Sequence, residues 1–145
     1  MTDAIYNDIR AALEAQAATA AGFPPPNLRN TDGGTFQPSL NKPWARLHLI
    51  PSSGRPISVD AKTIAHRGLF QIDLFYPAST GIKVAEAVAG AIKDAFAPGF
   101  TRLPLPGTNA RIHIAYVERI HAVKDDNEWE PVSVQVAWRV WAPRN

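Results

Sequence analysis

The chain contains no cysteine, which excludes disulfide staples, thiolate catalysis and cysteine-ligated zinc, and leaves the redox compartment unspecified. Large net charge is missing as well. Fifteen basic and thirteen acidic side chains leave a formal charge of +2, too little to mark a general polyanion binder. No run of 18 apolar residues is present to cross a bilayer, and the opening MTDAIYNDIR lacks the apolar centre of a secretory leader. A soluble, cytoplasmic chain with no membrane partner is the expectation. Signatures of chemistry are equally scarce. There is no Gly-x-Ser-x-Gly nucleophile turn, and Ser52 and Ser53 stand in a proline-flanked turn without an evident partner. The segment STGIK lacks the glycine loop of a nucleotide site, and TDGGTF leads into no helix.

What is present is the composition of a globular protein, 46% hydrophobic and 19% charged over 145 residues. That length predicts one domain spanning 1–145. Ile5, Ile9, Leu13 and Ala17 recur every four residues, which predicts a helix from about Asp3 to Ala21, ended by Gly22. A proline-rich connection over about 22–43 follows, then a strand at 44–50 and a second long loop at about 51–66, with a possible extended piece at Ile57 to Val59. Residues 67–76 alternate as a strand and Pro77 closes it. Ser79 or Thr80 is placed to cap a second helix whose apolar stripe is Val84, Ala85, Val88, Ala89, Ile92 and Phe96, opposed by Lys83, Glu86 and Lys93.

Two further strands, ARIHIAYVERIHAV and VSVQVAWRVWA, flank the polar KDDNEWEP and read as a long antiparallel hairpin. At roughly 3.4 Å per residue its fourteen-residue arm would span about 48 Å, so the hairpin is expected to project or to carry a bulge. The predicted class is α+β: helix, strand, strand, helix, strand, strand, a mostly antiparallel four-stranded sheet with both helices on one face. The opposite face would then carry Trp44, Arg46, His48, Gln71, Asp73, Phe75, Arg111, His113, Val117, Arg119, Gln135, Arg139 and Trp141. Such a face is polar at its centre and aromatic or aliphatic at its margins, which suits a contact surface. The plainer reading folds the tryptophans against loops of the same chain.

The four histidines make no expected metal site. His113 and His121 share a parity but stand roughly 27 Å apart along one strand, and a pairing of His48 with His113 has no third ligand. Asp125, Asp126 and Glu128 lack the glycine and glutamate spacing of a calcium loop and read as a solvated tip. Arg46, Arg111, Arg119 and Arg139 beside Trp44 and Trp141 keep nucleic-acid binding open, diluted by Asp73 and Glu130. No cofactor is expected.

The N-terminal helix, the long loop entering KPWARLHL, the block RGLFQIDLFYPASTG followed by a helix closing in AFAPGF, and the terminal PVSVQVAWRVW together are similar to the tail terminator (tail completion) family of long-tailed double-stranded DNA bacteriophages. The resemblance covers nearly the whole chain and contains no catalytic signature. It implies a non-enzymatic virion protein of the tail, assembled in the bacterial host cytoplasm, that forms a ring, commonly a hexamer, at the head-proximal end of the tail tube. There it stops tube polymerisation and offers a surface for head joining. The partners implied are copies of itself, the tail tube protein, the head-tail connector protein and DNA in the lumen. Trp44, Arg46, His48, Asp73, Phe75, Arg111, Arg119, Arg139 and Trp141 are the expected interface or lumen residues. Another phage neck protein, a small ligand-binding domain or enzyme with its pocket under the long loops, and a nucleic-acid module are the alternatives.

Overall fold

A computed structural model describes residues 3–21, 28–29, 44–52, 55–56, 63–77, 82–98, 102–105, 110–120 and 129–143. The elements run α1 (Asp3–Ala21), β1 (Leu28–Arg29), β2 (Trp44–Pro51), β3 (Arg55–Pro56), β4 (Thr63–Pro77), α2 (Ile82–Ala95), β5 (Arg102–Pro104), β6 (Arg111–Ile120) and β7 (Trp129–Pro143). Helix α1 is rich in alanine and buries Ile9, Leu13 and Ala17 at four-residue spacing. Helix α2 buries Ala85, Ala89, Ile92 and Phe96 and carries Lys93 in its last turn, where a cation favours the negative end of the dipole. Val84, expected in that stripe, is 44% exposed. One residue along a helix is a rotation of about 100°, so only one of the adjacent pair Val84 and Ala85 can face the core.

The α+β class stands, but the sheet is larger than the expected four strands and the element order differs. Five antiparallel strands lie in the order β2-β4-β7-β6-β5 and curl into a half-barrel. Two two-residue pieces extend them: β1 pairs in parallel with β2, and β3 pairs with β4. The added strand β5 was hidden in a link of three prolines, and a three-residue strand is too short to show a period. Strand β4 starts at Thr63 rather than Arg67, since residues 63–66 pair with 140–143 of β7. The expected cap at Ser79 or Thr80, the extended piece at 57–59, His121 and the 124–128 tip lie outside the described residues.

Both helices pack on the same face. That face receives Phe70, Ile72 and Leu74 of β4, Leu47 of β2, Ile112 and Ile114 of β6, and Val134, Val136 and Trp138 of β7. Because the sheet curls, α1 meets β2 and β5, which belong to opposite ends. Gln16 Nε2 donates to the Ala95 carbonyl at 3.0 Å and ties α1 to the end of α2. Gly68 marks a close approach within the sheet. A Cβ there would lie 2.5 Å from the Ile50 carbonyl oxygen, 2.7 Å from the Trp138 ring and 2.9 Å from Pro51 Cα, so only a residue without a side chain lets β2 and the indole meet β4.

The hairpin of β6 and β7 carries the expected bulge. Ile114 faces Trp138 and Tyr116 faces Ala137, so Ala115 is the extra residue on β6. A single inserted residue moves every later side chain to the other face. Tyr116, expected in the core, is 47% exposed, whereas Val117 and Arg119, expected on the open face, turn toward the helices.

Candidate assembly interface

The sheet face away from the helices is assembled by register. Two groups of side chains stand on it, one at each end of the β4–β7 ladder.

At the first, Arg46 of β2 faces Asp73 of β4, and Asp73 faces Ser133 of β7. The Asp73 side chain is 6% exposed, and a charge so placed persists only when its oxygens are bonded. Arg46 donates to Oδ2 from Nε at 3.3 Å and from Nη2 at 3.1 Å, with His48 Nε2 3.5 Å from the same oxygen. Ser133 Oγ donates to Oδ1 at 2.7 Å and Gln71 Nε2 at 2.8 Å. The Arg46 guanidinium also lies 5.4 Å from the Phe75 ring centroid, a cation-π contact that helps cover an aromatic ring on the side without helices. Greasy strand ends around a polar centre thus have an intramolecular explanation at Phe75, which is buried. This cluster holds β2, β4 and β7 in register and presents Arg46 and His48, whose side chains are 38% and 43% exposed.

At the other end the residues are basic. Arg67 of β4 faces Arg139 of β7, Arg139 faces His113 of β6, and His113 faces Arg102 of β5. Four basic residues therefore run in one row across four strands. The Arg139 guanidinium lies 5.1 Å from the Trp141 ring centroid, and His113 meets the same indole edge-on at 4.9 Å. Arg67 and Arg139 are exposed, and among the described residues neither has a carboxylate partner. Beside the row, Arg67, Leu69, Tyr116, Ala137, Arg139 and Trp141 line a hollow of about 410 Å³ whose lining also includes the bulge residue Ala115. Ile50, Tyr116 and Trp141, three of the four exposed large hydrophobic side chains among the described residues, belong to this face.

Of the nine residues expected at an interface, Arg46, His48, Asp73 and Phe75 come together in the first group, and Arg139 and Trp141 in the second. Trp44 occupies the register position opposite Phe75, and Arg111 stands exposed opposite Pro104. Arg119 is not on this face. Its Nη2 pairs with Glu86 Oε1 of α2 at 2.8 Å, so its expected interface position is corrected by the bulge. Sequence reading missed Ser133 and Arg67. A serine alone in the valine alternation VSVQV, and an arginine sharing the parity of Leu69, Gln71 and Asp73, were the available signals.

Among the described residues no group of histidine and carboxylate side chains is set to hold a metal ion, and no helix is long and apolar enough to cross a membrane. No curated protein matches the chain. One solved chain superposes with a TM-score of 0.64 at 20% identity, covering 97% of this chain and 96% of its own length. A chain from a structure titled "Virion of native gene transfer agent (GTA) particle" superposes with a TM-score of 0.61 at 14% identity, covering 99% and 100%. These similarities share the fold, a curled sheet carrying two helices on one side. The model of the phage tail terminator protein family matches residues 8–138, which takes in α1 from Asp8 onward, the bulged hairpin as far as Trp138, and both groups on the open face except Arg139 and Trp141. This chain belongs to the phage tail terminator protein family and is a structural component of a phage tail.

Proposed function

We propose that residues 1–145 act as one unit that forms a ring, a hexamer in the simplest case, on the head-proximal end of the tail tube. The ring ends tube growth and presents a surface to the head-tail connector. Family membership supports this reading, and the observation that carries it is the open sheet face. A subunit that leans on other subunits gains contact area and electrostatic complementarity from opposed arginines and exposed aromatics on a sheet.

The mechanism is steric and thermodynamic. A head-to-tail contact between copies closes into a cycle when its rotation divides the circle. Weak contacts between each subunit and the last tube ring then add through multivalency. Because the terminator offers no copy of the tube's own stacking surface, the next tube ring finds no partner. DNA passing through the lumen is contacted, if at all, through phosphates and without regard to sequence.

Electron microscopy of tail tubes mixed with the protein tests the role. Expected is a single capping ring at one end of each tube and tubes that stop lengthening. Tubes that grow past the added protein, or bind it along their sides, would refute it. Charge reversal belongs at Arg139 and Arg67, not at Arg46. A glutamate at 46 would face the buried Asp73 carboxylate and test the fold together with the function.

A further inference from the structure

We infer that the groove between α1 and β5 of one copy of this chain receives the aromatic rim of the open-face hollow of a second copy. Tyr116 and Trp141 enter among the groove's alanines, and Arg67 and Arg139 meet Asp8. The inference rests on the ring reading above and specifies which surfaces join neighbouring subunits. Arg67 and Arg139 stand directly opposite each other on β4 and β7, and like charges so placed destabilise a sheet. Among the described residues neither has a carboxylate partner. A carboxylate brought to them from outside therefore removes a repulsion as well as adding an attraction. Tyr116 and Trp141 are 47% and 38% exposed beside these arginines. The Trp141 indole is already held by Arg139 at 5.1 Å and by His113 at 4.9 Å, so little freedom is lost when it docks.

A surface with matching properties lies in the helix layer. Where α1 packs against the edge strand β5, a groove of about 400 Å³ is lined by Ala11, Ala12, Ala15, Leu103 and Pro104, with Asp8 toward the N-terminal end of the helix. Ala11, Ala15 and Pro104 are exposed, a shallow apolar floor that a flat aromatic ring covers well. Among the described residues Asp8 has no cationic partner, as the two arginines have no anionic one. Pro104 on the edge strand blunts strand addition, so side-chain docking is the natural way to cover this edge. Groove and hollow lie on opposite sides of the sheet, and one chain cannot join its own two surfaces. They are nearly level along the strands. Leu103 faces Ile112, one residue or about 3.4 Å from His113, which faces Arg139 and through it Arg67. A contact between unlike surfaces closes into a ring when it carries no climb along the ring axis, and level surfaces meet that condition with the strands along the axis. The near balance of total charge and the exposed Glu118 on the open face favour a protein neighbour over nucleic acid.

The natural absence of cysteine makes the test direct. Ala15→Cys places a thiol on the exposed floor of the groove, and Ala115→Cys places one on the exposed bulge beside the hollow. Neither alters a charge. The double variant, treated with a short bismaleimide at high concentration and again on tail tubes, is expected to give a ladder of trimers and larger species. Each single variant, with one thiol per chain, gives dimers at most. Adding R67E and R139E should abolish the ladder, and adding D8K to those should restore it, in proteins whose circular dichroism matches the parent. No ladder in either setting overturns the inference. So does a ladder indifferent to charge reversal, a ladder lost to R67E and R139E without rescue by D8K, or a hollow that binds a short DNA duplex in place of the second copy. Capping rings seen on tubes without this ladder would leave the terminator role standing and refute only this contact.

Discussion

Replacing Gly68 by alanine sets two effects of opposite sign against each other, and the structure decides between them. Removing a glycine narrows the unfolded ensemble and by itself stabilises a chain by about 0.4–1 kcal/mol. The added methyl would, however, lie 2.5 Å from the Ile50 carbonyl oxygen and 2.9 Å from Pro51 Cα, both backbone atoms, and 2.7 Å from the buried Trp138 ring. Ordinary contact begins near 3.4 Å, so the end of β2 must retreat by several tenths of an ångström and the indole must turn within a packed core. Overpacking of this kind costs about 1–3 kcal/mol, and the net expectation is destabilisation by about 1–2 kcal/mol. Gly90 supplies the control. It sits within α2 with nothing within 4 Å of a built Cβ, so Gly90→Ala should stabilise by about 0.5–1 kcal/mol through helix propensity alone. Urea unfolding of both variants and the parent, fitted with a common slope, reads the two differences. A Gly68→Ala protein as stable as the parent would refute the close approach of β2 and Trp138.

Other expectations follow from particular contacts. Arg46→Ala removes two bonds from the buried Asp73 carboxylate and should cost about 1–3 kcal/mol by denaturant unfolding, whereas Arg119→Ala, which breaks a half-exposed pair with Glu86, should cost under about 1 kcal/mol and lose even that in high salt. Arg119→Glu should leave tube capping intact while Arg139→Glu impairs it in the electron-microscopy assay, because the bulge puts these residues on opposite faces. Burial lowers the pKa of His66 from 6.5. Above that value both states hold the ring neutral and stability is full; as pH falls below it the unfolded chain takes up a proton the folded one resists, so stability declines. Unfolding at stepped pH from 7.5 downward should show this loss, and His66→Gln should flatten it.

The sequence by itself determined both helices, the strands at 44–50, 67–76 and 132–142, the hairpin, and the side of β2, β4 and β7 on which each residue falls. Those features follow from local periods of 3.6 and 2, which need no knowledge of neighbours. It also held the family resemblance in its blocks of strand and helix. Tertiary structure decided what depends on pairing. The expected strand length called for a bulge without locating it, and its position at Ala115 sent Arg119 to Glu86 and Tyr116 to the open face. Only register set Ser133 and Arg46 on opposite sides of Asp73, and Arg67 beside Arg139 and His113. These residues are far apart in the chain, and their meeting is a property of which strands lie side by side, which no local pattern encodes.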